Sequence, residues 1–145
     1  MLMTIPDVNL LIYAYHENDP HHMAAREWWE NSLEKGGLVG LSWIAMGGFL
    51  RLITHPRVLL IPMNIKEATA IVRSWLNHPQ VVVITPGRRF DKIFLHFLEI
   101  SGTGGNLTTD AHLAALTVEH ESILHSTDND FSRFPGLSWK NPLMG

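Results

Sequence analysis

Short apolar runs alternate with longer amphipathic stretches along this chain. The clearest apolar run is Val81–Thr85, which is β-branched throughout and flanked by prolines, as is typical of a strand. Amphipathic stretches such as Arg88–Ile100 repeat their apolar residues at helical spacing. Strands therefore alternate with helices from one end to the other. This alternation predicts an α/β fold with a mostly parallel sheet that is covered by helices on both faces.

The same patterns give the bounds of the other elements. The remaining strands are predicted at Met1–Ile5, Leu38–Leu41, Ile123–His125 and, as an edge strand, Leu137–Trp139. The remaining helices are predicted at Val8–Tyr15, at Pro20–Leu33 after an Asp19 cap, at Trp43–Thr54 after a Ser42 cap, from an Asn64 cap to about Asn77, and from Asp110 through Val118. No repeat or low-complexity segment interrupts the pattern, so we expect one domain over residues 1–145.

Two adjacent glycines lie inside the predicted helix Trp43–Thr54. In a helix interior, Gly47 and Gly48 each cost about 1 kcal/mol relative to alanine. We expect a structural feature that offsets this cost. A close approach by another part of the backbone is the explanation that a glycine pair favours.

Composition excludes several classes of function. The 145 residues are 46% hydrophobic and 17% charged, which favours a packed core over long disorder. The net charge of −3 offers no broad basic field for nucleic acid, although metal ions can supply the missing positive charge. The absence of cysteine excludes thiol catalysis and cysteine-ligated zinc. We identify no signal peptide, and no uncharged run reaches the roughly 18 residues of a membrane span. We therefore expect a soluble, cytoplasmic protein.

Three aspartates occupy the junctions between predicted strands and helices. Asp7 follows the first strand, Asp110 opens a helix, and Asp128 follows the strand Ile123–His125. The carboxyl ends of parallel strands share one edge of a sheet, so these side chains can converge there. Close carboxylates repel one another, and a hard divalent cation such as Mg²⁺ or Mn²⁺ relieves that conflict. The pattern therefore predicts metal-assisted hydrolysis of a nucleic acid.

Other interpretations of these residues are open. A single aspartate at a helix N-terminus is usually a cap, and Asp130 is placed to cap the short turn before Phe134. Nine histidines invite a zinc site, but no His-Glu-x-x-His pattern is present. The segment Asp7-Val8-Asn9 also resembles the Asp-x-Asp start of haloacid-dehalogenase-like phosphotransferases. There the second aspartate is a general acid, and Asn9 cannot protonate a leaving group.

Four segments of the chain resemble the VapC-type toxins of the PIN-domain nucleases. They read PDVNLLIYAY, GFLRLITHPRV, GGNLTTDAHLAALTVEH and STDNDFSRFPGLSWKNPL. The resemblance runs from Ile5 to Leu143, and the motifs come in the order that the family has. It implies a PIN-like three-layer α/β/α fold and a metal-dependent endoribonuclease that acts as the toxin of a type II toxin–antitoxin system. It also implies an RNA substrate and a VapB-type antitoxin as partner. We further expect a homodimer.

The resemblance assigns roles to individual residues. It implies that Asp7, Asp110 and Asp128 are catalytic and bind Mg²⁺, or alternatively Mn²⁺, with Asp130 as a further metal ligand. It also implies that Asn9 and Thr127 steady the acidic loops by hydrogen bonds. No other cofactor is expected.

One position departs from the family's pattern. Many PIN nucleases carry a glutamate just before the Phe-Leu-Arg segment, and here that position is Gly48. The loss of one carboxylate predicts weaker metal affinity. Glu119, at the far end of its helix, is expected to serve a surface role instead of replacing it. The alternative hypothesis is a catalytically weak PIN-like module that acts by binding RNA or an antitoxin.

Overall fold

Twelve elements make up the part of the chain that a computed structural model describes, residues 2–102 and 106–144. The strands are β1 (Thr4–Pro6), β2 (Val39–Ser42), β3 (Val81–Ile84), β4 (Ile123–His125) and β5 (Trp139–Lys140). The helices are α1 (Val8–Tyr15), α2 (His22–Glu34), α3 (Trp43–Ile53), α4 (Ile65–Leu76), α5 (Phe90–Ser101) and α6 (Asn106–Glu119), with a 3₁₀ helix at Asn129–Arg133. Residues 103–105, which the glycine-rich sequence predicts as loop, lie outside the described residues.

The strands form one parallel sheet in the order β3-β2-β1-β4-β5. Register is set by pairs such as Ile5 with Leu124 and Leu41 with Val83. Every strand therefore ends at the same edge of the sheet. The predicted α/β fold with a parallel sheet between helices is confirmed.

Two apolar cores lie on the sheet. One joins β2 to α1–α4 and is centred on aromatic side chains that include Trp29, Phe49 and Trp75. Tyr15 lies among them, and its hydroxyl accepts hydrogen bonds from the Trp29 and Trp75 indoles at 3.1 and 3.0 Å. The hydroxyl thereby satisfies two buried donors that would otherwise cost free energy. The other core packs α5 and α6 against the sheet around Ile5 and other apolar side chains.

Two of the predicted helix caps are present as hydrogen bonds. The Ser42 hydroxyl accepts from the Ala45 amide at 3.2 Å, which fixes where β2 stops and α3 begins. The side-chain oxygen of Asn64 accepts from the Glu67 backbone amide at 2.9 Å, and the side-chain nitrogen of Asn64 donates to the Glu67 carboxylate at 2.6 Å. Local capping chemistry therefore fixes both helix starts.

Several element boundaries differ from the expected ones by a few residues, among them the starts of β1 at Thr4 and of α5 at Phe90. Helix α2 begins at His22 instead of Pro20, because Asp19 accepts a hydrogen bond from the His21 amide and holds a turn there. Helix α6 begins at Asn106, so Asp110 lies in its second turn and not at its start. Strand β5 is displaced to Trp139–Lys140. The difference in α6 has chemical consequences, because Asp110 is not an N-cap.

The glycine pair in α3 has a different explanation from the one expected. A Cβ atom at Gly48 would lie 3.0 Å from the Val8 Cγ2 atom of α1, while one at Gly47 would meet nothing within 4 Å. The close neighbour at Gly48 is therefore a side chain and not a backbone. Glycine at position 48 lets α1 and α3 pack closely, and packing gives no reason for glycine at position 47.

Among the described residues, no helix has the length and apolar content that would suit a membrane crossing.

Candidate active site

A cleft of about 740 Å³ opens where β1 and β4 end and α3 and α6 pass. Its lining brings together residues that are far apart in sequence: Asp7, Val8, Asn9, Trp43, Ile44, Gly47, Gly48, Arg51, Leu52, Thr109, Asp110 and Asp128. The three aspartates expected to converge therefore share one cavity. Two of them are delivered by strand ends and the third by the second turn of α6.

Asp7 is held rigidly at the junction of β1 and α1. Its backbone amide donates to the His125 carbonyl at 2.9 Å, which ties the ends of β1 and β4 together. Its carboxylate accepts from the Val8 amide at 2.7 Å and from the Ser126 hydroxyl at 2.8 Å. Burial raises the pKa of this carboxyl, the two hydrogen bonds oppose that rise, and the charge of Asp128 adds to it. Each oxygen keeps a free lone pair for a ligand.

Ser126 connects two of the acids. Its side chain is fully buried, donates to Asp7, and accepts from the Asp128 amide at 3.0 Å. One hydroxyl thus fixes both the Asp7 carboxylate and the loop that carries Asp128. Sequence reasoning missed this residue. Its only signal was a hydroxyl residue directly after a strand and two positions before an aspartate.

Asp110 also has a perturbed ionisation in the cleft. Its pKa is raised to about 6, first by burial and then by the charges of Asp7, Asp128 and Asp130, while Arg133 acts in the opposite direction. Because Asp110 lies in the second turn of α6, its carboxylate caps no helix. The capping interpretation therefore does not explain it.

Asp128 and Asp130 occupy different environments. Asp128 lines the cleft and accepts from the Asp130 amide at 2.9 Å, so Asp128 caps the 3₁₀ helix. That position had been expected for Asp130. Asp130 is exposed, is not among the cleft-lining residues, and lies 3.6 Å from Arg133. Its charge nevertheless reaches Asp110, whose pKa it raises.

The two supporting polar residues make fewer contacts than expected. Asn9 lines the cleft, and Thr127 lies beside it in the loop after β4. Among the described residues, neither side chain makes a hydrogen bond. The contacts that steady the acidic loops are made by Ser126.

The donor atoms of the cleft suit a hard cation. The three aspartates supply carboxylate oxygens, and no histidine is among the lining residues. Across residues 2–102 and 106–144, no group of three or more His, Asp or Glu side chains is spaced to hold a metal ion as the side chains stand. Closing a coordination shell therefore requires side-chain rotation. The mutual charge that raises the Asp110 pKa is what a divalent cation would neutralise.

A second cavity of about 710 Å³ has a different chemistry. It is lined by Trp28, His125, Lys35, Lys140 and neighbouring residues, with Glu27 as the one carboxylate among them. The Trp28 indole donates to His125 Nδ1 at 3.0 Å, and burial, with a smaller effect from Lys140, lowers the pKa of His125 to about 4. His125 is therefore neutral at pH 7. This cavity does not gather acids.

Comparison with known families identifies the fold. The PIN domain family model matches residues 4–137, which is most of the chain. This chain belongs to the PIN domain family. Within that family it belongs with the VapC proteins, because it is 43% identical to Ribonuclease VapC33 of Mycobacterium tuberculosis over 141 residues. That match covers 97% of this chain and 99% of the relative. Ribonuclease VapC37 of the same organism is 38% identical, with 97% of each protein covered.

Solved structures share the architecture of this PIN domain. VapBC2 from Rickettsia felis, bound to a fragment of promoter DNA, superimposes with a TM-score of 0.71 over 97% of this chain and 98% of that one, at 14% identity. Mycobacterium tuberculosis VapC20, described as a Sarcin-Ricin loop cleaving toxin, gives 0.68 over 89% and 92%, at 18% identity. These structures support the fold, and the curated relatives support the family.

Glu119 of this PIN domain has a structural position. Its carboxylate accepts from the Gly87 and Arg89 amides at 2.8 and 2.9 Å, and its carbonyl accepts from the Arg89 guanidinium at 2.8 Å. It therefore holds the turn before α5 and does not line the acidic cleft.

Proposed function

We propose that this PIN domain is a VapC-type toxin, a metal-dependent endoribonuclease whose active site is the cleft around Asp7, Asp110 and Asp128. The observation that carries the proposal is the meeting of three carboxylates from three separate segments in one cavity. Burial and mutual charge raise the pKa of Asp7 and Asp110, so their ionised forms are held at a cost. Carboxylates that lie together in a cleft and whose ionised forms are destabilised are typical of a functional site.

Each residue of the chain has a separate task in this proposal. Asp7 and Asp128 are held in the cleft by hydrogen bonds to Ser126 and to backbone amides, and their carboxylates would supply oxygens to a cation. Asp110 gains or loses its negative charge near pH 6, because its pKa is raised to about 6. Asp130 adds negative charge from the rim.

Oxygen ligands favour Mg²⁺, with Mn²⁺ as the alternative, over zinc. When bound, such a cation supplies positive charge to the acids and the phosphodiester and lowers the pKa of the attacking water. Hydrolysis forms a bond from the water oxygen to phosphorus and breaks the bond between phosphorus and the leaving ribose oxygen, which takes up a proton that the water gives up.

The test is cleavage of RNA by the purified protein with Mg²⁺, with Mn²⁺, and with a chelator in excess. We expect cleavage only with a divalent cation, and loss of at least ~100-fold in rate for Asp7→Asn and Asp110→Asn. Asp19→Asn is the matched control, since Asp19 lies in the turn before α2 and its amide counterpart can still accept from His21. Unchanged cleavage by Asp110→Asn would contradict the site.

The alternative is a binding module with little turnover. Gly48 favours it, because this position of the cleft carries no carboxylate and Val8 leaves little room for a Cβ. Calorimetric Mg²⁺ titration and RNA turnover on one sample discriminate the two. Saturable RNA binding without product across several RNAs would select the binding module.

The partners follow from the same proposal. We expect a VapB-type antitoxin, a homodimer, and a cytoplasmic location, where RNA is available. Light scattering on the protein alone, and then mixed with the product of its neighbouring reading frame, measures both associations. A monomer that does not bind that product would contradict this part of the proposal alone.

A further inference from the structure

An exposed tryptophan lies beside the acids of the cleft. Trp29 and Trp75 are 2% and 1% exposed, as expected of core residues, but Trp43 is 55% exposed. Trp43 lines the acidic cleft. Among the described residues, its ring stacks on no other aromatic ring and its indole makes no hydrogen bond. A large apolar ring left open to water beside a site is typical of a binding surface.

The neighbours of Trp43 on α3 complete a strip along the cleft. Residues 43, 47 and 51 are four apart, so they lie on one face of the helix. Gly47 leaves open space, with nothing within 4 Å of a built Cβ, and Arg51 lies at the far end. Within the described residues Arg51 forms no salt bridge. Along about 12 Å of helix, the strip therefore presents the ring of Trp43, then open space at Gly47, then the guanidinium of Arg51.

This strip offers RNA attractive contacts that the carboxylates of the cleft do not. Without a bound cation, a cleft with three carboxylates repels the phosphate backbone of RNA, so groups that do not depend on the acids favour RNA binding. Aromatic stacking with a base is independent of phosphate charge, and a guanidinium is a preferred partner of phosphate. The gap at Gly47 admits the sugar-phosphate chain between the two.

We propose that Trp43 stacks an unpaired RNA base next to the scissile phosphate, while Arg51 binds a phosphate of the same strand. The proposal rests on the proposed ribonuclease function and deepens it, because it names the residues that position the substrate. Bases inside a duplex already stack on each other and offer no free face. The strip therefore selects single-stranded or looped RNA over duplex.

The experiment measures affinity separately from cleavage. Fluorescence anisotropy is recorded in an Asp110→Asn background with single-stranded oligo(A), oligo(C) and oligo(U), and with the oligo(A)·oligo(U) duplex. Trp43→Ala should weaken single-strand binding by roughly 5- to 100-fold, which corresponds to the loss of one stacked base, and should leave duplex binding unchanged. Trp43→Phe keeps a stacking ring and should retain most of the affinity.

Two controls separate stacking from charge and from general surface effects. Arg51→Gln should make the negative slope of log affinity against log salt shallower by about 0.7, because one phosphate contact is lost. Trp43→Ala should leave that slope unchanged. Leu95→Ala removes a similarly exposed apolar side chain, 54% exposed on α5, and should change neither affinity.

Each remaining outcome decides the question. If Trp43→Ala binds single strands as tightly as its parent, or weakens strand and duplex equally, the stacking proposal is wrong, and Trp43 serves a protein interface instead. Absence of single-strand binding by the parent protein overturns it too. If single strands bind in a Trp43-dependent way but wild-type protein cleaves no RNA with Mg²⁺ or Mn²⁺, stacking stands and the ribonuclease proposal fails.

Discussion

At the scale of single residues, the site depends on how Asp7 is kept in place. A carboxylate buried at a strand end pays for desolvation, which raises its pKa. The Ser126 hydroxyl opposes that rise and, through the Asp128 amide, links the position of one acid to the other. The adjacent Thr127 makes no side-chain hydrogen bond among the described residues. The two hydroxyl residues therefore have unequal expected effects.

We predict that Ser126→Ala lowers Mg²⁺-dependent RNA cleavage by roughly 10- to 100-fold, as loss of an orienting hydrogen bond typically does. The free energy of unfolding should fall by about 1–3 kcal/mol at pH 7, because buried Asp7 loses a donor. Thr127→Ala is the control and should change either quantity little. The measurements are kcat/KM with RNA and urea denaturation. A larger effect of Thr127→Ala would restore the role that the family resemblance gives to that residue.

At the scale of elements, α3 carries the two glycines for different reasons. Gly48 lies where a Cβ would press on Val8, so its lack of a side chain lets α1 and α3 pack closely. Gly47 faces the open cleft and meets no neighbour. Only the first glycine has a packing role, and the second retains its helix penalty.

We therefore predict opposite outcomes for two matched substitutions. Gly47→Ala should stabilise the protein by up to about 1 kcal/mol, since alanine favours the helix and nothing obstructs its Cβ. Gly48→Ala should gain less or destabilise, because the contact with Val8 at 3.0 Å must be relieved. Urea denaturation of both variants gives the comparison. Adding Val8→Ala to Gly48→Ala should recover part of the difference, and equal effects of the two glycines would contradict this account.

Elements were predictable where local chemistry decides them. The Ser42 and Asn64 caps and the β-branched run of β3 are written in a few adjacent residues, and the structure confirms them. The start of α6 was missed, because the helix already begins at Asn106, four residues before the aspartate from which it was predicted. Ser126 was missed for a related reason, since its partner Asp7 is 119 residues away and no local pattern records that contact. Asp7 and Asp128 could be chosen because strand ends in a parallel sheet meet at one edge. Asp110 was chosen as the start of a helix, and it lies instead in the second turn of α6.

At the scale of the whole molecule, two groups give opposing pH dependence. Asp110 has a pKa raised to about 6, so its contribution to stability is present below pH 4 and is lost as the pH rises through 6. Burial raises the Asp7 pKa in the same sense. His125 has a pKa lowered to about 4, so its contribution is present above pH 6.5 and is lost as the pH falls through 4. In the metal-free protein these contributions oppose each other between pH 4 and 6.5.

Single variants should separate the two contributions. Asp110→Asn removes the unfavourable charge, so the metal-free variant should exceed wild type in unfolding free energy at pH 7 by roughly 1 kcal/mol after allowance for solvent screening, and the difference should vanish near pH 4. His125→Asn, whose amide oxygen can still accept from Trp28, should instead gain unfolding free energy relative to wild type as the pH falls towards 4. Urea denaturation at several pH values, with a chelator or with excess Mg²⁺, gives both curves.

Because a bound cation favours ionised Asp110, excess Mg²⁺ should stabilise wild type more than Asp110→Asn at pH 7. This difference should become smaller as the pH falls below 6. Equal stabilisation of both proteins by Mg²⁺ would mean that Asp110 is not a ligand, whereas an unchanged His125→Asn curve would contradict only the role of His125.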